Sequence, residues 1–212
     1  MLIPYAGILS KYNIRPTGVL HVGGHWAEEA HDYYTNGVER TIWVEANPEC
    51  VMNLMSNLQH YPDHLIFNDC ISDVDGQDIV LNISNNEGQS SSILELGTHK
   101  IAHPEVHYIS TVNCRTKRLD TLFNTNNLDI EQYQFVNMDI QGAELLALKG
   151  MGDMLHKVKY LYLEINDREL YTNCALVGEI NEYVRQFGFV SKDKVMAGNF
   201  GWGDSFYIRE NQ

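Results

Sequence analysis

The sequence predicts an α/β fold: a mostly parallel sheet with helices on both faces, ending in an antiparallel hairpin. Three observations predict it. From Thr17 onward, apolar runs of strand length alternate with amphipathic stretches of helix length, the pattern of βαβ units. A glycine pair follows the first apolar run directly, and an acid ends the second. The last two apolar runs, Phe189 to Met196 and Ser205 to Arg209, lie close enough in sequence to pair as a hairpin.

Residues 1–16 form a helical lead-in. Thr17 to Val22 is the first strand, with a helix expected over Trp26 to Thr35. Arg40 to Glu45 is the second strand. Asn47 is then a good N-cap and Pro48 suits the first position of a helix running to Leu58, because the N–H that proline lacks has no partner there. A third strand, His64 to Asn68, leads into Asp69-Cys70. Ile79 to Ile83 and Val106 to Val112 are strand-like, and the polar stretch between them makes 84–105 a mobile, substrate-side loop. Gln134 to Met138 and Lys159 to Ile165 are further core strands. Ala143 to Lys149 is a helix that Gly150 would end, and Ala175 to Phe187 is the last helix. With no repeat and no linker, 1–212 is expected to be a single domain.

Composition narrows the function. Of 212 residues 44% are hydrophobic and 20% charged, which suits a chain with a packed core. No run is long enough to span a bilayer, and the N-terminus lacks a signal-peptide pattern, so a cytoplasmic protein without membrane partners is expected. The formal net charge of −13 disfavours nucleic acid, whose affinity comes from Lys and Arg neutralising phosphates. Arg115, Lys117 and Arg118 are too few to reverse that. Cys50, Cys70, Cys114 and Cys174 are widely spaced and are expected to be reduced, buried thiols. The sequence does not indicate an oligomeric state.

The chemistry concentrates at strand ends. His21-Val22-Gly23-Gly24-His25 forms a strand-to-helix turn where a ligand can approach the backbone, and its N–H groups would suit a polar ligand edge. Glu45, some twenty residues on, offers two acceptor oxygens to ribose hydroxyls, with Asn47 beside it. The adjacent acids Glu28 and Glu29 would repel a pyrophosphate but tolerate a sulfonium and an ammonium group. Asp69, Cys70 and Ile71 offer one polar group and apolar surface, as an adenine pocket requires. These features favour S-adenosylmethionine, with NAD as the alternative cofactor.

Asp139, Glu164 and Asn166 reach one sheet edge on neighbouring strands, where ligands bind in open α/β sheets. Asp139 could act as a base or as a metal ligand, with Glu164 and Asn166 supporting it directly or through a divalent cation such as magnesium. Glu144 could be a ligand group or a helix cap. Ser91, Ser92, Gln141 and Trp202 are the candidates for acceptor contact; Trp202 could stack on a sugar ring or fill the hairpin core. His25 could touch cofactor, serve as a base, or lie on the surface. His99, His103 and His107 recur every four residues as a metal-binding helix face would, but Pro104 breaks that helix, which leaves them bordering the cleft or in a loop.

Val19 to His25, Trp43 to Pro48, Ser90 to Ile93, Arg118 to Leu122, Met138 to Glu144 and Leu148 to Gly150 resemble, in order, the motifs of the FkbM-type S-adenosylmethionine-dependent methyltransferases. Asp139-Ile140-Gln141-Gly142-Ala143-Glu144, similar to the family's D-x-x-G-A-E, is the most specific of them. The resemblance implies a Rossmann-like class I methyltransferase domain with a seven-stranded sheet. It also implies O-methylation of a hydroxyl on a sugar or glycoside-type small molecule or glycan. The chain departs from the family at His21, where many members have Asp, at Gln141, where many have Glu, and at Ala27, the usual third glycine of the loop. An NAD-dependent oxidoreductase and a non-catalytic carbohydrate-binding protein are the alternative functions.

Overall fold

The computed structural model of the chain describes residues 1–210. Its strands are β1 (Gly18–Val22), β2 (Arg40–Val44), β3 (His64–Phe67), β4 (Cys70–Ile71), β5 (Asp78–Ser84), β6 (Tyr108–Lys117), β7 (Phe135–Met138), β8 (Tyr160–Asn166), β9 (Phe189–Met196) and β10 (Trp202–Arg209). Its helices are α1 (Tyr5–Tyr12), α2 (Ala30–Thr35), α3 (Pro48–Leu58), α4 (His99–Ala102), α5 (Leu119–Thr125), α6 (Glu144–Met151) and α7 (Val177–Arg185). Among the described residues no helix is long and apolar enough to cross a membrane.

Seven strands form the main sheet in the order β3-β2-β1-β7-β8-β10-β9. The first five are parallel, and β10 runs antiparallel to both β8 and β9. Every residue of β1 is buried, because helices cover both faces of the strand. Alternate side chains then sort to opposite faces. Leu20 and Val22 join a core with Leu122, Leu148 and Val184 under α5, α6 and α7, whereas Val19 joins Tyr5, Tyr33 and Leu54 under α1, α2 and α3. The chain moves outward from β1 to β3 and returns on the other side of β1 to β7. That reversal opens a crevice at the strands' C-terminal ends, the usual ligand position in such sheets.

Three details depart from expectation. Helix α2 starts at Ala30 rather than Trp26, since His25 (φ 42°) and Ala27 (φ 62°) turn the chain through left-handed conformations first. Cys70 and Ile71 do not extend β3. They pair in parallel with Thr116 and Lys117 in a separate three-stranded sheet, β4-β6-β5. Gly150 lies inside α6, which ends at Gly152 (φ 51°). Segment 84–105 contains α4 and a hydrogen-bond net in which the Ser90 N–H donates to Ser84 Oγ (3.1 Å) and the Ser84 N–H to Ser91 Oγ (3.1 Å).

Gly150 is needed for a close approach. A Cβ there would lie 2.2 Å from the Ser72 carbonyl oxygen, which β4's sheet holds against α6. Alanine would gain about 1 kcal/mol of helix propensity, but the overlap with backbone costs more. Gly150→Ala should therefore lower stability by about 2 kcal/mol in urea denaturation. Gly178→Ala, in α7 with nothing near its added methyl, should leave stability unchanged or raise it by up to about 1 kcal/mol.

Candidate active site

The strand ends surround one cavity of about 620 Å³. His21, Gly23, Glu45, Asp69, Cys70 and Ile71 line one side, and Asp139, Gln141, Glu164, Asn166 and Trp202 the other. His25, Glu28, Ser91 and Ser92 also line it. Gly24 and Asn47 do not. A Cβ on Gly24 would meet Leu54 Cδ1 at 2.7 Å, and the Asn47 side chain caps α3 by accepting from the Glu49 N–H (3.0 Å). Among the described residues lining the cavity none is lysine or arginine.

The glycine loop works differently from the expected ligand cradle. Both N–H groups are already used, Gly23 and Gly24 donating to the Val44 carbonyl at 2.8 and 3.1 Å. Gly23 (φ 85°) is required for another reason: a Cβ there would sit 1.8 Å from the Asp139 carbonyl oxygen. Glu45 accepts the N–H of His25 (2.9 Å) on one oxygen and that of Asn47 (2.7 Å) on the other. Each oxygen keeps a second acceptor site, and burial raises the pKa of this carboxyl. Asp69 pairs with Lys117 at 2.6 Å.

His25 bridges two loops, its ring nitrogens 2.6 Å from Glu28 Oε1 and 3.0 Å from the Glu87 carbonyl. Burial works to lower its pKa, but Cys50, Glu28 and the Glu87 carbonyl outweigh that and push it up to about 11. A cationic imidazole cannot take a proton, so His25 latches the serine-rich loop rather than acting as a base. His21 is the opposite case. It is buried, stacked on Trp43, and burial lowers its pKa, so the ring is neutral. Asn137 donates to the Tyr33 hydroxyl (2.8 Å), which lies 3.2 Å from His21 Nδ1. With the Tyr33 proton directed at Nδ1, that network assigns the ring N–H to Nε2.

Gln141 organises the other side. Its left-handed backbone (φ 54°) places one amide nitrogen 2.6 Å from Asp139 Oδ1 and 2.5 Å from Glu164 Oε2, and its Oε1 accepts from the Tyr171 hydroxyl. Glutamate here would put three acids in one cluster; the amide supplies two N–H donors instead. Burial first, and then the charge of Asp139, hold the Glu164 carboxyl well above the usual carboxylate range. Burial thus favours the neutral form of Glu164, and Asp139 is the exposed member of the pair. Ser92 Oγ donates to the Gln141 carbonyl at 2.7 Å, which makes it a support for this loop.

Asn166 is fully buried and neither its Oδ1 nor its Nδ2 has a partner; His99 Nδ1, also buried, has none. Both residues line the cavity, as does His103, while His107 does not. Among the described residues no three His, Cys, Asp or Glu are grouped to hold a metal, and the Gln141 amide already bridges Asp139 and Glu164, so these residues do not fit a metal ion. Sequence reasoning missed Tyr171, Leu170, Leu81 and Glu105 in the lining, and none carries a local motif that would have found them.

Glu144, fully buried, accepts the N–H groups of Ile140 (3.0 Å) and Gly142 (3.2 Å) and so clamps the Asp139 loop from below. Burial raises its pKa from 4.5 to about 7. Between those values the folded chain keeps a proton that the unfolded chain releases, so folding stability falls as pH rises through that window. Glu144→Gln keeps the acceptor and removes the titration. Relative to wild type, it should gain stability progressively as pH rises from about 5 to about 8, read from urea midpoints.

A model of the methyltransferase FkbM domain matches residues 16–191. The 2-O-methyltransferase NoeI of Sinorhizobium fredii (strain NBRC 101917 / NGR234) is 27% identical over 154 residues, 70% of this chain and 62% of that protein. The chain therefore spans less than two thirds of this curated relative's length. The magnesium protoporphyrin IX methyltransferase of Synechocystis PCC 6803 superposes with a TM-score of 0.54 at 10% identity, covering 97% of this chain and 76% of that one. A SAM-dependent methyltransferase from Aquifex aeolicus gives 0.52 at 11%, covering 97% and 89%. At such low identity these two structures share the fold alone, the seven-stranded class I methyltransferase sheet. The family match spans most of the chain and includes the glycine loop, Glu45 and Asp139 to Glu144: the chain belongs to the methyltransferase FkbM domain family.

Proposed function

We propose that the chain is an S-adenosylmethionine-dependent O-methyltransferase acting on a hydroxyl of a sugar or glycoside-type small molecule or glycan. The observation that carries this reading is one cavity in which a ribose-type acid, Glu45, faces a proton-handling pair, Asp139 and Glu164. When bound, S-adenosylmethionine supplies a methyl group already activated by its sulfonium charge. The chain's own residues have complementary tasks. Glu45 accepts the ribose hydroxyls, Cys70 and Ile71 offer apolar wall to the adenine, and the Nε2–H of His21 is a donor for the cofactor's carboxylate. The acids around the cavity suit a cationic ligand and oppose a pyrophosphate, which argues against a dinucleotide. The net charge of −13 argues likewise against a nucleic-acid acceptor.

Asp139 takes the proton of the acceptor hydroxyl. Its Oδ1 is oriented by the Gln141 amide, which Tyr171 and Glu164 hold in turn. Proton removal by a positioned side chain contributes about 10²–10⁴-fold. Asp139→Asn should therefore lower turnover by about that factor while adenosylhomocysteine still binds in calorimetry. Full retention of turnover would remove Asp139 from the role of base. Glu45→Ala should weaken adenosylhomocysteine binding by about 30- to 150-fold, the equivalent of about 2–3 kcal/mol for hydrogen bonds to a charged acceptor. An unchanged dissociation constant would sink the ribose assignment.

A further inference from the structure

Polar groups buried without partners are rare in folded proteins, and this chain places three of them, on two residues, in the wall of one cavity. Asn166 has 0% of its surface exposed, and both ends of its carboxamide are unpaired. It is fixed by β8, paired across from Trp202 on β10 and bridged to Leu176. His99 is 5% exposed, with Nδ1 unpaired. Its backbone is tied to the segment after β8, since Gly97 and His99 N–H both donate to the Leu170 carbonyl at 2.7 and 3.1 Å. Both line the cavity, so whatever occupies it must pair with them. Both therefore stand ready for a ligand.

The two unpaired ends of the Asn166 carboxamide limit that ligand. The Oδ1 of Asn166 needs a hydrogen-bond donor and its Nδ2 an acceptor, a pair of demands that hydroxyl groups meet together. An ionised carboxylate or phosphate group has acceptors only and would leave Oδ1 unpaired. Charge acts in the same direction. Asp139 and Glu105 line the cavity and no lysine or arginine does among the described residues, while the Met1 ammonium and the His25 ring in the lining are already engaged by Glu29 and Glu28. An anion brought there loses water and gains like-charge neighbours. Tyr171 and half-buried Trp202 supply ring surface beside these groups.

We propose that Asn166 and His99 form the acceptor subsite, and that it takes an uncharged or amine-bearing polyhydroxylated ring and rejects phosphorylated or carboxylated ones. The inference rests on the methyltransferase reading above.

The test uses a panel of methyl pyranosides, each with its 2-amino, 6-phosphate and uronate counterparts. Methyl transfer from labelled S-adenosylmethionine and calorimetric binding to adenosylhomocysteine-saturated protein are both measured. Neutral and amino members should be methylated, with anionic counterparts at least about tenfold lower in kcat/KM and the gap narrowing as salt is added. Asn166→Ala and His99→Ala should each raise acceptor KM about tenfold or more, leaving adenosylhomocysteine affinity within twofold. If Asn166→Ala fails to fold, as thermal melting would reveal, His99→Ala decides. Three results would overturn the proposal. They are an anionic member used as well as its neutral parent, an unchanged acceptor KM in the folded variants, or adenosylhomocysteine binding with no neutral or amino member methylated or bound. Failure to bind adenosylhomocysteine at all would instead strike the methyltransferase reading, and this inference with it.

Discussion

Two backbones pass so closely at the head of the sheet that one methyl group would separate them. A Cβ on Gly23 would lie 1.8 Å from the carbonyl oxygen of Asp139. The parallel register explains why: Val22 pairs with Met138, and the Asp139 N–H then donates to the Val22 carbonyl at 3.0 Å. The chain leaves β1 and β7 side by side, and both loops must turn at once. The same absence of a side chain sets the glycine turn and the position of Asp139. The cofactor half and the proton-handling half of the site are thus one structural unit, joined through main chain.

The site gathers several carboxylates, held by four kinds of donor. Glu45 and Glu144 are held by backbone N–H groups, Asp69 by the Lys117 ammonium, and Glu28 by the His25 ring. Asp139 and Glu164 share the amide of Gln141. These donors let acids crowd together, and the His25 ring and the Met1 ammonium in the cavity lining are each engaged by an acid, Glu28 and Glu29. The resulting field suits a ligand that brings its own positive charge.

Much of this arrangement is legible in sequence because it is local. Strand runs, the Asn47-Pro48 helix start and the placement of Glu45 and Asp139 at strand ends depend on neighbouring residues, and the structure has them. What sequence reasoning missed depends on distant ones. No residue type announces that His25 and Ala27 adopt positive φ, since both are ordinary helix-compatible residues; the delayed start of α2 follows from that. The N–H groups of Gly23 and Gly24 suited a ligand until Val44, a neighbour only through sheet pairing, took them. Gly150 has the form of a helix terminator, yet Ser72 of another sheet explains it. His99 sits in a four-residue helix anchored to residues some seventy positions away, a link that no periodicity carries.

Gln141 shows what such an arrangement means for a protein under selection. Its backbone is left-handed (φ 54°), a conformation that disfavours a side chain by about 1–2 kcal/mol and that glycine adopts freely. That same turn brings its amide within reach of Asp139 and Glu164. A library screened for heat resistance alone has reason to enrich Gln141→Gly, because the relief is local and immediate. Each such winner would lose the two N–H donors that let paired acids coexist. Thermostability and competence therefore pull this position in opposite directions, and a screen that reports only melting temperature would drift away from the chemistry without registering it.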